Sequence, residues 1–192
     1  MSKKAFFATL FAILTVCCVS AQKLQGDLSP LSNQDEVNLI LDFSETLVNG
    51  GDFDKFFAAE TKGKSESFKE DWLADWNEKL PAEALSKLTG AFNITMRTKF
   101  FSIGEYKNAQ YTIIVKVKDI TPGTFAGPLS KPSKIKTEVS FVKKGEKTPF
   151  ATVEYKESRS SITMLPQLVM RISMSFMTLG EDLSATISRE LR

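Results

Sequence analysis

Four stretches of the chain alternate apolar and polar side chains with the period of two that is typical of a half-buried β-strand. They are residues 35–45 (DEVNLILDFSE), 111–119 (YTIIVKVKD), 134–144 (KIKTEVSFVKK) and 149–157 (PFATVEYKE). A weaker strand is predicted within residues 98–103, and KKGEK supplies a hairpin turn between the last two strands. Because each strand has one apolar and one wet face, the pattern predicts an antiparallel or mixed sheet of four to five strands, covered on one face.

Apolar residues elsewhere recur with the period of an α-helix. In the helical region 52–92, Asp52 is a predicted N-cap ahead of FDKFFAAE, and Pro81 is expected to interrupt the helix. At the end of the chain a narrow apolar stripe predicts a long helix that covers the sheet. Its members are Leu165, Leu168, Val169, Ile172, Phe176, Leu179, Leu183 and Ile187. The predicted fold class is therefore α+β, with helices on one face of the sheet and a long C-terminal helix.

Phe68, Trp72 and Trp76 lie on one flank of the helical region at four-residue spacing. Two interpretations are open for the tryptophan pair. It packs into the core, which this spacing favours, or it forms a platform on which sugar rings stack.

The N-terminus has the three parts of a secretory signal peptide. Lys3 and Lys4 precede the apolar run 5–19, and small residues then offer a cleavage site after Ala21. The predicted organisation is a signal peptide at 1–21, a polar leader at 22–34 and a single α+β domain at 35–192. The protein is expected to be exported, either periplasmic or associated with the outer surface. A permanent transmembrane segment is not expected, because the run is shorter than the roughly 20 residues that a spanning helix needs.

Both cysteines of the chain, Cys17 and Cys18, lie inside the predicted signal. A lipid anchor on either is disfavoured, because neither follows the small residues that a lipoprotein signal requires. Histidine is absent from the chain. Cleavage would thus leave neither imidazole nor thiol, which argues against His- or Cys-based catalysis and against the usual zinc sites. No cofactor and no enzymatic activity are predicted.

The chain has 25 basic and 23 acidic residues, and the two lysines of the signal account for the difference. A net charge near zero argues against nucleic acid as a partner. The expected partner is instead a protein or an envelope component, and a homodimer is one form of such an interaction.

Two candidate partner surfaces arise from the helical and strand patterns. One is the side of the C-terminal helix away from its main stripe, formed by Met170, Met174 and Met177. It either packs under the helical region 52–92 or meets a partner or a lipid-like ligand. The other is the wet sheet face, which either keeps the sheet soluble or meets anionic lipid or polysaccharide. Its basic residues are Lys116, Lys118, Lys134, Lys136 and Lys156.

A third candidate is the connection TPGTFAGPLSKPS, residues 121–133, which is long for a hairpin loop. Phe125 and Leu129 within it either fold back onto the core or present apolar tips to a partner.

The order of these features resembles an uncharacterised family of small exported proteins of Gram-negative bacteria. The segments that carry the resemblance are VNLILDFS, DWLADWNEKL, YTIIVKV, the Pro/Gly connection, KPSKIKTEVSFV and the closing helix. The chain is also similar in outline to α+β envelope lipoprotein domains, which serve assembly or binding in the periplasm. The resemblance implies no site residues.

The leading hypothesis is a non-enzymatic binding or envelope-assembly module. One alternative is a binder of small apolar ligands in a pocket between helix and sheet. A second is a glycan hydrolase that uses two carboxylates facing each other across a cleft.

Overall fold

Seven strands form one mixed sheet in the computed structural model, which describes residues 24–96 and 100–192. The strands are β1 (Gln25–Gly26), β2 (Glu36–Asp42), β3 (Leu47–Val48), β4 (Ser102–Gly104), β5 (Tyr111–Thr121), β6 (Lys134–Lys143) and β7 (Ala151–Arg159). Their order is β1-β7-β6-β5-β2-β4, and β3 also pairs with β5. β5, β6 and β7 are antiparallel, whereas β2 runs parallel to both β5 and β4.

The α+β class and the mixed sheet are confirmed, but the described residues hold more strands than the predicted four to five. The weaker strand predicted within residues 98–103 corresponds to β4, which is three residues long, and positions 98 and 99 of that prediction lie outside the described residues. The additional strands β1 and β3 are two residues long, which is too short to show an alternating pattern, so periodicity cannot detect them.

The apolar face of the sheet is buried as the alternation predicts. Val115, Val139 and Val153 lie side by side in register across β5, β6 and β7, and all three are fully buried. Burying one such aliphatic side chain stabilises the fold by about 1.5–3 kcal/mol. These residues form the centre of the core between the sheet and the helices.

The helices are α1 (Phe53–Glu60), α2 (Glu66–Ala74), α3 (Leu80–Met96) and α4 (Leu168–Glu190). Asp52 caps α1 as predicted, since its carboxylate accepts a hydrogen bond of 2.7 Å from the backbone N–H of Asp54. Pro81 lies in the first turn of α3, and a π-helical turn at Asp75–Lys79 joins α2 to α3. Because proline lacks an N–H, the wider turn accommodates it and the helical region continues to Met96 instead of ending.

The long helix α4 covers the sheet with the predicted stripe from Leu168 onward, of which Ile172, Phe176 and Leu183 are fully buried. Leu165, the first residue of the predicted stripe, lies before the helix. α3 packs closely against α4 at Gly180. A Cβ atom there would lie 2.5 Å from the carbonyl oxygen of Leu88, so only glycine permits this approach.

The segment predicted as a polar leader takes part in the domain. Leu28 and Leu31 are buried in the core, and Gln25–Gly26 pairs with the start of β7. The predicted signal sequence, its cleavage site after Ala21 and both cysteines lie outside the described residues. Within the described ranges, the helices are too short or too polar to cross a membrane.

Candidate functional site

A cleft of about 520 Å³ opens between the β5–β6 connection and the N-terminal end of α4. Residues of the connection, the first residue of β6, the last residue of β7 and α1 contribute to its lining. The residues that line it are Asn49, Phe56, Glu60, Thr121, Pro122, Gly123, Thr124, Lys131, Pro132, Lys134, Arg159, Leu168 and Arg171.

The connection holds its shape through its own hydrogen bonds. Thr124 and Lys131 exchange two backbone hydrogen bonds of 3.0 Å each, and a 3-10 turn at Gly127–Leu129 forms the tip. Gly123 has a φ of +70°, and a Cβ there would lie 2.4 Å from the carbonyl oxygen of Lys131. The long loop is therefore a small ordered hairpin, and glycine is required at its base.

Arg171 lies at the base of the cleft and ties three segments together. Its Nε donates to the carbonyl oxygen of Pro122 at 3.2 Å, and its Nη1 donates to those of Leu165 and Pro166 at 2.9 and 2.8 Å. The hydroxyl of Ser133 donates to the backbone carbonyl of Arg171 itself. The loop, the segment before α4 and α4 are thus held by one side chain.

The charge of Arg171 is buried without a counter-charge in contact. The residue is only 8% exposed, and no carboxylate among the described residues forms an ion pair with it. Burial lowers the pKa of the guanidinium, and the negative charge of Glu60 acts in the opposite direction. Within the described chain Nη2 makes no hydrogen bond, so it is available to a group in the cleft that Arg171 lines.

Three further cations line the cleft. Lys134 and Arg159 both contact Glu157, at 3.0 and 2.7 Å. Burial raises the pKa of Glu157, but the hydrogen bonds from Lys134 and Arg159 outweigh this effect and lower that pKa below its usual range. Lys131 is exposed and has no ion pair within the described ranges. Glu60 is the one acidic residue among the described lining, so the cleft is positively charged.

The loop predicted as a candidate surface presents its apolar side chains to solvent. Phe125 is 50% and Leu129 is 79% exposed. Of the two alternatives left open for this loop, the structure thus places these side chains outside the core, on the hairpin that forms the cleft wall.

The predicted basic sheet face is largely neutralised. Four of its five lysines form ion pairs with described residues: Lys116 with Glu45, Lys118 with Glu138, Lys134 with Glu157 and Lys136 with Asp119. Lys156 is exposed and has no ion pair within the described part of the chain. A surface whose charges are mostly paired presents little net potential to a distant anion.

The three methionines of α4 do not form an open face. Met174 is buried, and Met170 and Met177 are half-buried. Their use as a partner surface stays a prediction.

Trp72 and Trp76 stack on one another, with ring centroids 5.4 Å apart and ring planes 7° from parallel. Phe53, Phe56 and Phe57 of α1 pack around them, and only Trp76 also contacts the main core. The pair therefore joins α1 to α2 as a small aromatic cluster. Because one face of each indole ring is covered by the other ring, the arrangement favours a packing role over stacking against sugars.

Reasoning from the sequence missed Arg171, the residue on which this cleft is built. One signal was present: Arg171 is the only charged residue between Arg159 and Glu181. A lone charge in a long uncharged stretch is expensive to bury, so it indicates a specific environment.

A carboxylate pair suited to hydrolysis is not found in this cleft, whose described lining includes Glu60 alone as an acid. A neighbouring cleft beside Trp76 contains Glu45, Asp52 and Asp54. Of these, Glu45 is paired with Lys116 and Asp52 caps α1. No group of three His, Cys, Asp or Glu side chains within 24–96 and 100–192 is placed to hold a metal ion.

No protein-family model and no curated protein matches the sequence. Several solved structures have a similar outline. The PelC dodecamer from Paraburkholderia phytofirmans aligns at 7% identity and a TM-score of 0.43, over 83% of this chain and 96% of that one. A DUF330 protein from Xanthomonas campestris aligns at 8% identity and a TM-score of 0.38, over 87% of this chain and 93% of that one. A protein described as a neuraminyllactose-binding hemagglutinin homolog from Helicobacter pylori aligns at 13% identity and a TM-score of 0.28, over 88% of each chain. All three organisms are Gram-negative bacteria, but likeness at this distance does not extend to function.

Proposed function

We propose that the protein is a non-enzymatic binding module and that its ligand site is the cleft between the β5–β6 connection and α4. The ligand carries an anionic group such as a phosphate or a carboxylate. The single observation that supports this most strongly is the buried guanidinium of Arg171, which has backbone carbonyls as partners but no carboxylate among the described residues.

Moving a cation out of water costs several kcal/mol, and neutral carbonyl partners offset only part of that cost. An oxygen anion that reaches Nη2 would form a charge-assisted hydrogen bond, which is about twice as strong as a neutral one. Lys131 lines the same cleft without an ion pair among the described residues, so it adds to the positive potential. Leu168, the first residue of α4, also lines it, so the positive end of the helix dipole lies close to the ligand.

The alternative functions find less support. Between the sheet and α4, side chains such as Phe141, Phe176 and Leu179 are fully buried, and this packing favours a filled interior over a pocket for apolar ligands. The single described carboxylate in the cleft, Glu60, does not provide the two groups that a glycan hydrolase of this kind uses.

The proposal includes export of the protein to the cell envelope. It rests on the pattern of residues 3–21, where two lysines, an apolar run and small residues follow in the order of a signal peptide. The intact mass of the native protein tests this part. A chain that begins at Gln22 supports export by this signal, whereas a chain that retains residues 1–21 contradicts it.

Binding is tested by following backbone amide NMR signals while inorganic phosphate is added at constant ionic strength, with chloride as the comparison ion. Phosphate should shift the signals of the 121–133 loop and of the first turns of α4 in a saturable manner. Lys131→Ala should weaken phosphate binding by about three- to tenfold, the effect expected for loss of one charge-assisted contact. Lys118→Ala, which removes a paired lysine from the sheet face, is the matched control and should leave phosphate binding unchanged.

Equal responses to phosphate and chloride would overturn the anion site. The same conclusion follows if Lys131→Ala and Lys118→Ala have equal effects, because binding would then depend on net charge rather than on the cleft.

A further inference from the structure

Four of the exposed apolar side chains in the described part of the chain lie on two segments that Arg171 joins by hydrogen bonds. Phe125 and Leu129 lie on the β5–β6 connection, and Ile162 and Met164, which are 41% and 63% exposed, lie in the segment between β7 and α4. Isolated exposed apolar residues are common on soluble proteins, but several at one end of a domain indicate a contact surface.

The two segments that carry these side chains emerge at the same end of the sheet. The backbone N–H of Ser160 donates to the carbonyl oxygen of Ser133 at 3.0 Å, which joins the segment after β7 to the end of the connection. Arg171 bonds to Pro122 in the first segment and to Leu165 in the second. The apolar tips and the buried cation therefore belong to one structural unit.

This combination has the chemistry of a peripheral membrane-binding surface. Apolar side chains on loop tips can enter the boundary between headgroups and acyl chains, while cations behind them contact the phosphates of anionic lipids. Lys131, on the same connection as the tips, and Arg171 supply cations that are unpaired within the described chain. Lys134 and Arg159 line the same cleft as partners of Glu157. An anionic polysaccharide would satisfy the cations but would leave the apolar tips in water.

We propose that this end of the domain docks onto a lipid bilayer that carries anionic headgroups, with Phe125 and Leu129 inserted and a headgroup phosphate in the cleft. The proposal rests on the cleft being the ligand site, and it identifies the source of the anion as a phospholipid. The tips lie outside the lining of the cleft, so insertion and phosphate binding can be separated by substitution.

The test is co-sedimentation of the purified protein with vesicles of phosphatidylcholine alone, or with about one-fifth phosphatidylglycerol. The protein should bind the anionic vesicles at least about tenfold more tightly, and about 0.5 M salt should remove most of this preference because it screens the charges. The double variant Phe125→Ser, Leu129→Ser removes the apolar tips without adding charge, so it should bind these vesicles at least about tenfold more weakly while its affinity for inorganic phosphate stays unchanged. Ile94→Ser is the matched control, since Ile94 is 84% exposed on α3, and it should bind as the unaltered protein does.

Each outcome decides between the two proposals. If the protein binds inorganic phosphate but neither kind of vesicle, the membrane proposal is wrong and the cleft takes a free or polymer-borne anion. If it binds neither phosphate nor vesicles, both proposals fail. Docking through these tips is also overturned if the double variant retains vesicle binding, or if Ile94→Ser loses it equally.

Discussion

The sheet face and the cleft are both basic, but they differ in how many of their cations are paired with carboxylates. On the sheet face, lysines such as Lys118 and Lys136 form ion pairs with carboxylates on the neighbouring strand. In the cleft, Arg171 is buried with no paired carboxylate in the described chain, and Lys131 is exposed and likewise unpaired. Both regions also contain paired cations, and Lys134 belongs to both, but only the cleft has a buried cation without a paired carboxylate in the described chain.

This difference matters because the potential that attracts a ligand depends on net local charge, not on the number of lysines. Paired surface charges keep the sheet hydrated and contribute little to stability. A buried cation held by carbonyl groups is costly, and it is more readily understood as a preformed site. The residue that distinguishes the two regions is therefore Arg171, and its substitution should have the largest effect. Glu157 limits the positive charge of the cleft, so its neutralisation should sharpen the difference.

Arg171→Leu should cause the largest change. It removes three hydrogen bonds from a charged donor and leaves the carbonyls of Pro122, Leu165 and Pro166 without that partner, so we expect the free energy of unfolding to fall by about 2–4 kcal/mol. Urea unfolding measures the change. Lys118→Leu, on the sheet face, should cost less than about 1 kcal/mol. Equal losses for the two variants would abolish the distinction between the regions.

Glu157→Gln should strengthen anion binding. Glu157 is the counter-charge of Lys134 and Arg159, so its neutralisation makes the cleft more positive. We expect phosphate affinity to rise by about two- to fivefold at neutral pH, as measured by the same NMR titration. Glu138→Gln, which frees Lys118 on the sheet face, is the comparison variant and should change phosphate affinity little. A greater gain from Glu138→Gln would place the anion on the sheet face.

The lowered pKa of Glu157 predicts a small loss of stability in acid. A carboxyl group whose pKa is lower in the folded state stabilises the fold above its unfolded pKa, and this contribution is lost as the pH falls through the folded value. Since Glu157 is exposed, we expect no more than about 0.5 kcal/mol from this group, lost below about pH 4.5. Comparison of unfolding curves for the protein and Glu157→Gln between neutral and acidic pH isolates it. The prediction is wrong if the difference in unfolding free energy between the two proteins grows as the pH falls.

Lys118→Ala should have the smallest effect on the cleft. Its ion pair with Glu138 is solvated, with both side chains more than two-fifths exposed, so the free energy of unfolding should change by about 0–1 kcal/mol. Phosphate affinity should be unchanged. Thermal unfolding with and without phosphate measures both quantities, and a loss of the phosphate response would show that the paired sheet face also binds the anion.

Much of the fold could be predicted because its signals are local. The alternation in β5, β6 and β7 identified the buried face residue by residue, from Ile113 to Tyr155, and the stripe of α4 identified the helix that covers it. Neighbouring side chains of a strand or helix share a face by geometry alone, so the pattern is readable without the rest of the chain. The short strands β1 and β3 carry no such pattern and depend on a longer neighbour for their hydrogen bonds. β4 carries only the weak signal within residues 98–103.

The candidate site, in contrast, was decided by contacts between distant parts of the chain. From the sequence, the loop 121–133 and the lysine-rich strands were visible as features, but their exposure and pairing were not. Lys116 meets a carboxylate 71 positions away, and Arg171 meets a carbonyl 49 positions away. The periodicity of α4 could show that Arg171 lies off the core stripe, but only the packing of the β5–β6 connection against that flank buries it. The sequence by itself thus determined which faces are apolar. The tertiary structure decided which charges are neutralised and which remain for a ligand. The reason is that charge pairing depends on neighbours in space, which the local sequence pattern does not encode.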